Sequence, residues 1–198
     1  MISLSVKSDI AAVVKRLDRT VWKQVPFAAA KALTDTAKDV QRELNTAIEQ
    51  VFDQPTPFTQ KAVGIATATK QSLSARVFLK DVQAAYLGLQ ITGGTRLPKR
   101  RALVLPGSGL KLNQYGNIPR GKVQQLLARK DVFSGKVRGV AGLWQRQKAG
   151  PPKLLILFEP KAQYQKRLPF YEVARATIER RLTANVEAAL RSALATAR

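Results

Sequence analysis

The 198-residue sequence contains no cysteine and no histidine. Without cysteine, the chain forms no disulfide and offers no thiolate as a nucleophile or a metal ligand. Without histidine, it lacks the side chain that most often acts as a general base near neutral pH and that most often binds metals. These two absences remove the commonest catalytic and metal-binding arrangements.

Acidic residues and long apolar runs are also scarce. Thirteen acids stand against 34 lysine and arginine residues, which gives a formal net charge of +21. No stretch approaches the roughly 20 apolar residues of a membrane-spanning helix, and residues 1–6 lack the apolar run of a signal peptide. We therefore expect no membrane contact, and a chain that is made inside a cell and used there or in an assembly built there.

The positive charge is concentrated in residues 95–153, which we call the basic segment. It contains 14 lysine and arginine residues and a single acid, Asp131, for a net charge of +13. Such an excess disfavours compact packing unless an anion neutralises it, and nucleic acids and acidic proteins are the usual anions. The cations lie among prolines and glycines and not along one helix face, which disfavours a membrane surface.

Hydrophobic periodicity predicts helices before the basic segment. Residues 2–6 alternate as in an edge strand, and residues 8–24 have helical spacing. Pro26 is expected to open a second helix that ends near Val51. Its apolar stripe is Ala30, Leu33, Ala37, Val40, Leu44, Ile48 and Val51. The stripe indicates core packing, with a subunit interface as the alternative for part of it.

Shorter elements follow, and then a terminal helix. A capped turn begins near Pro57, residues 63–69 and 73–79 form a hairpin, and residues 82–89 are helical. Further strands are predicted at 102–105, 137–144 and 154–158, with a short helix at 119–127. The continuous apolar run of 154–158 predicts a central strand buried on both faces. The terminal helix opens at Pro169, with a stripe of Phe170, Val173, Thr177, Leu182, Val186, Leu190 and Leu194 and with Ala174, Ala189 and Ala193 beside it.

This order of elements predicts an α+β fold, in which long N-terminal and C-terminal helices pack on a small antiparallel sheet around a long basic, loop-rich middle. We expect a single domain over residues 1–198. Its parts are N-terminal helices (1–52), a turn and hairpin (53–94), a basic loop-rich insertion (95–153), and a central strand with the C-terminal helix (154–198).

Two motifs suggest chemistry, but each has a simpler interpretation. Residues 116–122 have the G-x-x-x-x-G-K spacing of a phosphate-binding loop, yet Val123 stands where Ser or Thr should hold magnesium, and Pro119 removes an N–H group. We interpret them as a turn into a short helix.

Asp35, Asp39 and Glu43 form an acidic row at helical spacing. Because Lys31, Lys38 and Arg42 surround it, we interpret the row as an ion-paired surface. We expect no cofactor, no metal and no enzymatic activity.

The cations of the basic segment remain as the candidate contact residues. The ten that we select for nucleic-acid or subunit contact are Arg96, Lys99, Arg100, Arg101, Arg120, Lys122, Arg129, Lys130, Lys136 and Arg138. Tyr115, Phe133 and Trp144 lie among the cations and are of the type that stacks single-stranded bases. On duplex, lysine and arginine would neutralise phosphates without reading sequence.

Three stretches together resemble the minor tail protein Z family, the tail completion proteins of lambda-like long-tailed bacteriophages. They are VPFAAAKAL at 25–33 with the Pro57-Phe58-Thr59 turn after it, NIPRGKVQQL at 117–126, and LPFYEV at 168–173. Length and basicity are similar too. Small head–tail connector and tail terminator proteins are the competing family.

The resemblance implies a structural virion protein of the neck or tail top that acts in tail completion and head–tail joining. It implies a homo-oligomeric ring, expected to be six-fold, near the path of the DNA. Its partners would be other phage neck and tail proteins and the backbone of packaged duplex DNA. It would be assembled in the host bacterial cytoplasm and would reside in the virion. The family has no catalytic residues to carry over. The alternative from charge alone is a free-standing, sequence-nonspecific nucleic-acid-binding protein.

Overall fold

The structure is a computed structural model that describes residues 3–7 and 19–195. The chain forms two compact units. The helical unit comprises Met1–Ile91 and Lys166–Arg198, and the basic unit comprises Thr92–Gln165. In chain order the described elements are β1 (Ser3–Lys7), α1 (Arg19–Val51), α2 (Pro57–Gln60), β2 (Val63–Ala66), β3 (Ser74–Leu79), α3 (Asp81–Thr92), β4 (Gly94–Arg96), β5 (Leu103–Pro106), α4 (Lys122–Leu127), β6 (Val132–Val137), β7 (Val140–Gln145), β8 (Lys153–Glu159), β9 (Ala162–Tyr164) and α5 (Phe170–Ala195).

Helix α1 runs without interruption through Pro26. The predicted helix start at this proline is therefore wrong, while residues 8–18 of the predicted first helix lie outside the described residues. A proline removes one backbone N–H bond from a helix interior, and burial of Val25 and Ala28 on either side favours continuation. The predicted stripe is confirmed from Ala30 to Ile48, since each of its members in that range is buried.

Helix α5 begins at Phe170, directly after Pro169 as predicted, and packs along α1. Toward its C-terminal end, Ala189 and Ala193 are buried in a cluster with alanines of α1, whereas Leu190 and Leu194 are 36% and 50% exposed. The predicted stripe is thus wrong over this last part of the helix. Small side chains permit a short distance between helix axes, so the alanine face turns inward and the leucines flank it.

The helical unit also contains a three-stranded antiparallel sheet in the order β1-β3-β2. The predicted hairpin is β2 and β3, and the predicted N-terminal edge strand is β1. Ala75, Val77 and Leu79 share one face of β3 and are buried in the core with α1. The predicted α+β class is confirmed, with long N-terminal and C-terminal helices packed together beside small antiparallel sheets.

The chain leaves the helical unit and re-enters it at one place. The carbonyl of Gln90 accepts the backbone N–H groups of Arg167 and Leu168, at 2.7 and 2.9 Å. The basic unit, Thr92–Gln165, is therefore an insertion between two adjacent points of the helical unit.

The basic unit contains more regular structure than its glycines and prolines suggest. β4 pairs with β9, and β5-β8-β7-β6 form a four-stranded antiparallel sheet. β8 is central in this sheet, as predicted, but only Leu155 and Ile156 are fully buried, so burial on both faces along its length is wrong. The core also contains Leu126, Val132 and Leu143. Because β8 pairs with both β5 and β7 in this sheet, residues 154–159 belong structurally with the basic segment and not with the C-terminal helix.

The predicted strand at 137–144 is wrong, because the chain reverses inside it. Arg138 and Gly139 have φ of +49° and +85°, and Val137 pairs with Val140 across them. Two consecutive positive φ values are typical of a type I′ turn, which joins the strands of a tight hairpin. Arginine is not a residue that signals such a turn, so the sequence pattern did not predict it.

Candidate nucleic-acid interface

All ten predicted contact residues lie in the basic unit, spread over its strands and loops. Lys99, Arg100 and Arg101 are consecutive between β4 and β5, and Lys136 and Arg138 share the end of the β6–β7 hairpin. The others are Arg96 in β4, Arg120 before α4, Lys122 at its first residue, and Arg129 and Lys130 just after it. Nine of the ten are exposed, and Lys122 is half-buried. They are therefore dispersed over several strands and loops of the unit.

Arg129 is the exception among these cations, because it has an intramolecular carboxylate partner. Its Nε and Nη2 donate to the two oxygens of Asp131, at 2.9 and 2.5 Å, and Gln145 donates to the same carboxylate at 2.8 Å. The hydrogen bonds from Arg129 and then from Gln145 lower the pKa of Asp131 to about 2. The same contact raises the pKa of Arg129. The other nine cations form no ion pair with any described residue.

Two of the three interleaved aromatic residues are poorly placed for stacking bases. Trp144 is only 9% exposed, and its indole N–H has no hydrogen-bond partner among the described residues. Phe133 is half-buried, and the guanidinium of Arg146 lies 4.7 Å from its ring centroid. Arg146 is held there by its Nη1, which donates to the carbonyl of Lys130 at 3.3 Å. The predicted stacking role is therefore wrong for Trp144, and on Phe133 an arginine occupies one ring face.

Residues 116–122 are a turn into a short helix, as interpreted from the sequence. Gly121 has φ of +74° and precedes the six-residue α4. The side-chain oxygen of Asn113 accepts the backbone N–H groups of Tyr115 and Asn117, at 3.0 and 2.9 Å. These two donors are consequently turned toward the protein, whereas a phosphate-binding loop directs its N–H groups at the ligand.

The acidic row of α1 is ion-paired, as predicted, and two of its members also have partners on α5. Asp39 accepts from Arg42 of its own helix, from Arg181 at 3.2 Å and from Asn185 at 2.9 Å. Burial opposes ionisation of Asp39, yet the hydrogen bonds from Asn185, Arg181 and Arg42 outweigh it and hold its pKa below the usual value. Glu43 accepts from Arg180 at 2.8 Å. The row therefore joins the two long helices, which periodicity within α1 alone does not reveal.

Asp35 continues the row toward the N-terminus and pairs within α1. It accepts from Lys31 at 2.6 Å and from Lys38 at 3.4 Å. Across the part of the chain that the structure describes, acids do not gather into groups of three suited to a metal ion. None of the described helices has the length and apolar character needed to cross a bilayer.

Comparison with known proteins identifies no family for this chain. No family model, no curated protein and no solved structure matches this chain.

Proposed function

We propose that the chain is a non-enzymatic structural protein of a phage virion, located at the neck or tail top, where it acts in tail completion and head–tail joining. In this proposal it works as a homo-oligomeric ring, six-fold by expectation, with other neck and tail proteins as neighbours. The basic unit faces the backbone of duplex DNA or an adjoining subunit. The sequence resemblance supports the placement in a virion, and the exposed cations of the basic unit support the choice of contact surface.

The observation that carries the proposal is the uncompensated charge of the basic unit. Nine of the ten candidate cations are without an ion pair to any described residue, and nine of the ten are exposed. Fifteen cations in Thr92–Gln165 stand against two acids, Asp131 and Glu159, which leaves +13. Charges of one sign at this density repel one another until a polyanion or an acidic partner neutralises them. A ring of copies would multiply this field around its centre.

The carboxylates of the helical unit support a structural role. Asp35, Asp39 and Glu43 are engaged with lysines and arginines. A general acid or base requires a group that is free to exchange a proton with a substrate. These three act instead as connections within and between helices, which agrees with a chain that serves by its shape and charge.

A second candidate, a free-standing nucleic-acid-binding protein, is favoured by one observation. Ala28 and Ala32 of α1 are covered by Ala189 and Ala193 of α5 within the same chain. These small-residue faces therefore need no second copy to bury them. Both candidates use the same cations, and they differ in whether the chain assembles.

Sedimentation velocity of the purified full chain, with and without a generic DNA duplex, tests the proposal. We expect a closed oligomer, and we expect the K99A/R100A/R101A variant to keep its melting temperature, because exposed unpaired charges add little to stability. The same variant should lose assembly or DNA association. A chain that binds duplex tightly as a monomer and never assembles would support the second candidate. A melting temperature lowered by many degrees would show that the three cations are structural.

A further inference from the structure

The end of the β6–β7 hairpin extends beyond the sheet that carries it. β6 and β7 stay paired as far as Val137 opposite Val140. The pairing of β7 with β8 stops at Gly142, opposite Leu157. Among the described residues, 136–141 therefore have no third strand beside them, and β6 is itself the edge of the sheet. We call residues 136–141 the hairpin tip.

Arg138 occupies an unfavourable backbone conformation at this tip. Its φ of +49° lies in the left-handed region, which an arginine adopts at a cost and which asparagine or glycine adopts readily. The side chain is exposed and forms no ion pair with any described residue. Among the described residues, no hydrogen bond to the side chain explains why an arginine stands here. An unfavourable backbone conformation combined with an exposed charge favours a functional role for this side chain.

The chemistry of the tip selects the kind of partner. Lys136 and Arg138 provide two positive charges with no acid in the same six residues. The apolar side chains of the tip are Val137, Val140 and Ala141, so it lacks the large aromatic or aliphatic anchor on which most protein interfaces depend. It also lacks an aromatic ring of its own on which single-stranded bases would stack. A two-stranded ribbon with cations at its end fits the major groove of duplex DNA and its flanking phosphates.

We infer that the β6–β7 hairpin is an arm that contacts duplex DNA, with Lys136 and Arg138 binding backbone phosphates at its tip. The inference rests on the proposed function in one respect, namely that the polyanion beside the basic unit is duplex DNA. The unstrained alternative residue at position 138 would keep the turn and lose the phosphate contact. Position 138 is thus a site where turn stability and DNA binding oppose one another.

Fluorescence anisotropy of the full chain with a labelled duplex of arbitrary sequence, titrated from about 50 to about 300 mM NaCl, tests the arm. For K136Q/R138N we expect the slope of log affinity against log salt to fall by about 1.8, since each phosphate contact contributes about 0.9. Affinity near 0.1 M salt should fall roughly 10- to 100-fold. The matched control is K111Q/K148Q, which removes two exposed cations of the same unit away from the tip and should change the slope far less.

Two single variants separate binding from folding. R138N places a turn-favouring residue at φ of +49°, so we expect an unchanged or higher melting temperature together with weaker binding. R138K keeps the charge and should bind nearly as wild type does. Weaker binding combined with undiminished stability cannot come from unfolding.

The other possible outcomes would contradict the inference that the hairpin contacts DNA. Equal losses in K136Q/R138N and K111Q/K148Q would mean that only total charge matters. Wild-type duplex affinity in K136Q/R138N, together with weaker duplex binding in K99A/R100A/R101A, would contradict the DNA contact of the hairpin tip. The proposed function would be unaffected. Altered assembly with unchanged duplex affinity would assign the tip to a neighbouring copy. A wild-type chain that does not bind duplex would remove the DNA contact of the proposed function along with the arm.

Discussion

Asn185 on α5 donates its side-chain amide to the carboxylate of Asp39 on α1 at 2.9 Å. The same amide lies 3.0 Å from the hydroxyl of Thr36, which itself donates to the carbonyl of Ala32. Asp39 and Thr36 are both buried. A polar group buried between helices is stable only in the register that supplies its partners. This pair therefore fixes how the two long helices align.

Replacing Asp39 with alanine should destabilise the helical unit. The change removes a buried acceptor shared by Asn185 and Arg181, and we expect a loss of about 1.5–3 kcal/mol. Urea unfolding followed by circular dichroism measures it. The control is Glu43→Ala, because the exposed pair with Arg180 should contribute less than about 1 kcal/mol. Equal effects of the two variants would contradict a special role for the buried carboxylate.

Ile156→Ala should destabilise the basic unit, because this side chain is fully buried in the central strand β8. We expect a cost of about 2–5 kcal/mol. The chain has two tryptophans, so a Trp22→Phe background leaves Trp144 as a fluorescent reporter of the basic unit during denaturation. Val104→Ala on the edge strand β5, where the side chain is 46% exposed, should shift the midpoint far less. An unchanged midpoint for Ile156→Ala would refute the central position of β8.

Gly135 and Gly142 lie opposite each other in the hairpin, yet they should respond differently to alanine. A Cβ on Gly142 would collide with the carbonyl oxygen of Ile156 in β8, whereas one on Gly135 would sit 3.5 Å from the ring of Phe133, an ordinary contact. We expect Gly142→Ala to cost about 1–3 kcal/mol. Gly135→Ala should be neutral or stabilising by up to about 1 kcal/mol. Thermal melting of both variants distinguishes them, and the reverse order would contradict the strand register.

Asp131 should titrate far below an ordinary aspartate. The pKa of Asp131 in the folded chain, about 2, lies below the ordinary aspartate value of 3.8, so its bonds stabilise the fold above about pH 4. That contribution is lost as pH falls toward 2, since the protonated acid no longer holds Arg129. A carboxyl-carbon NMR titration of the wild type checks the midpoint.

Variants identify the cause of the Asp131 shift. In Arg129→Gln the midpoint should rise toward 3.8, with Gln145 still donating one bond. In Lys136→Gln it should stay near 2, because Lys136 makes no bond to this carboxylate. A wild-type midpoint near 4 would show that the bidentate contact does not persist in solution.

The sequence predicts the fold where periodicity is strong and misses it where geometry overrides residue preference. The stripe of α1 and the β2–β3 hairpin follow from spacing alone. Pro26 does not begin a new helix, because burial of Val25 and Ala28 favours a continuous helix despite one missing hydrogen bond. Leu190 and Leu194 look like core residues by hydrophobicity, but the close approach of α1 and α5 selects the neighbouring alanines. Which face of a helix is buried depends on the helix that packs against it, so the sequence of one helix alone does not predict that face.

The sequence predicted which residues form the candidate interface but not how the fold positions them. Composition identified the cations of the basic segment, and their exposure agrees with contact residues. The hairpin tip was not predicted, because Arg138-Gly139 lacks the asparagine that usually signals such a turn. The α5 partners of Asp39 and Glu43 were missed for a related reason, since they come from a helix more than 130 residues away along the chain.

The bonds from Arg167 and Leu168 to Gln90 place the two ends of the inserted segment side by side. A chain from which residues 92–165 are excised could be rejoined by a few residues of linker without separating α1 from α5. The charged portion is in that sense a module that leaves and rejoins the helical unit at a single point.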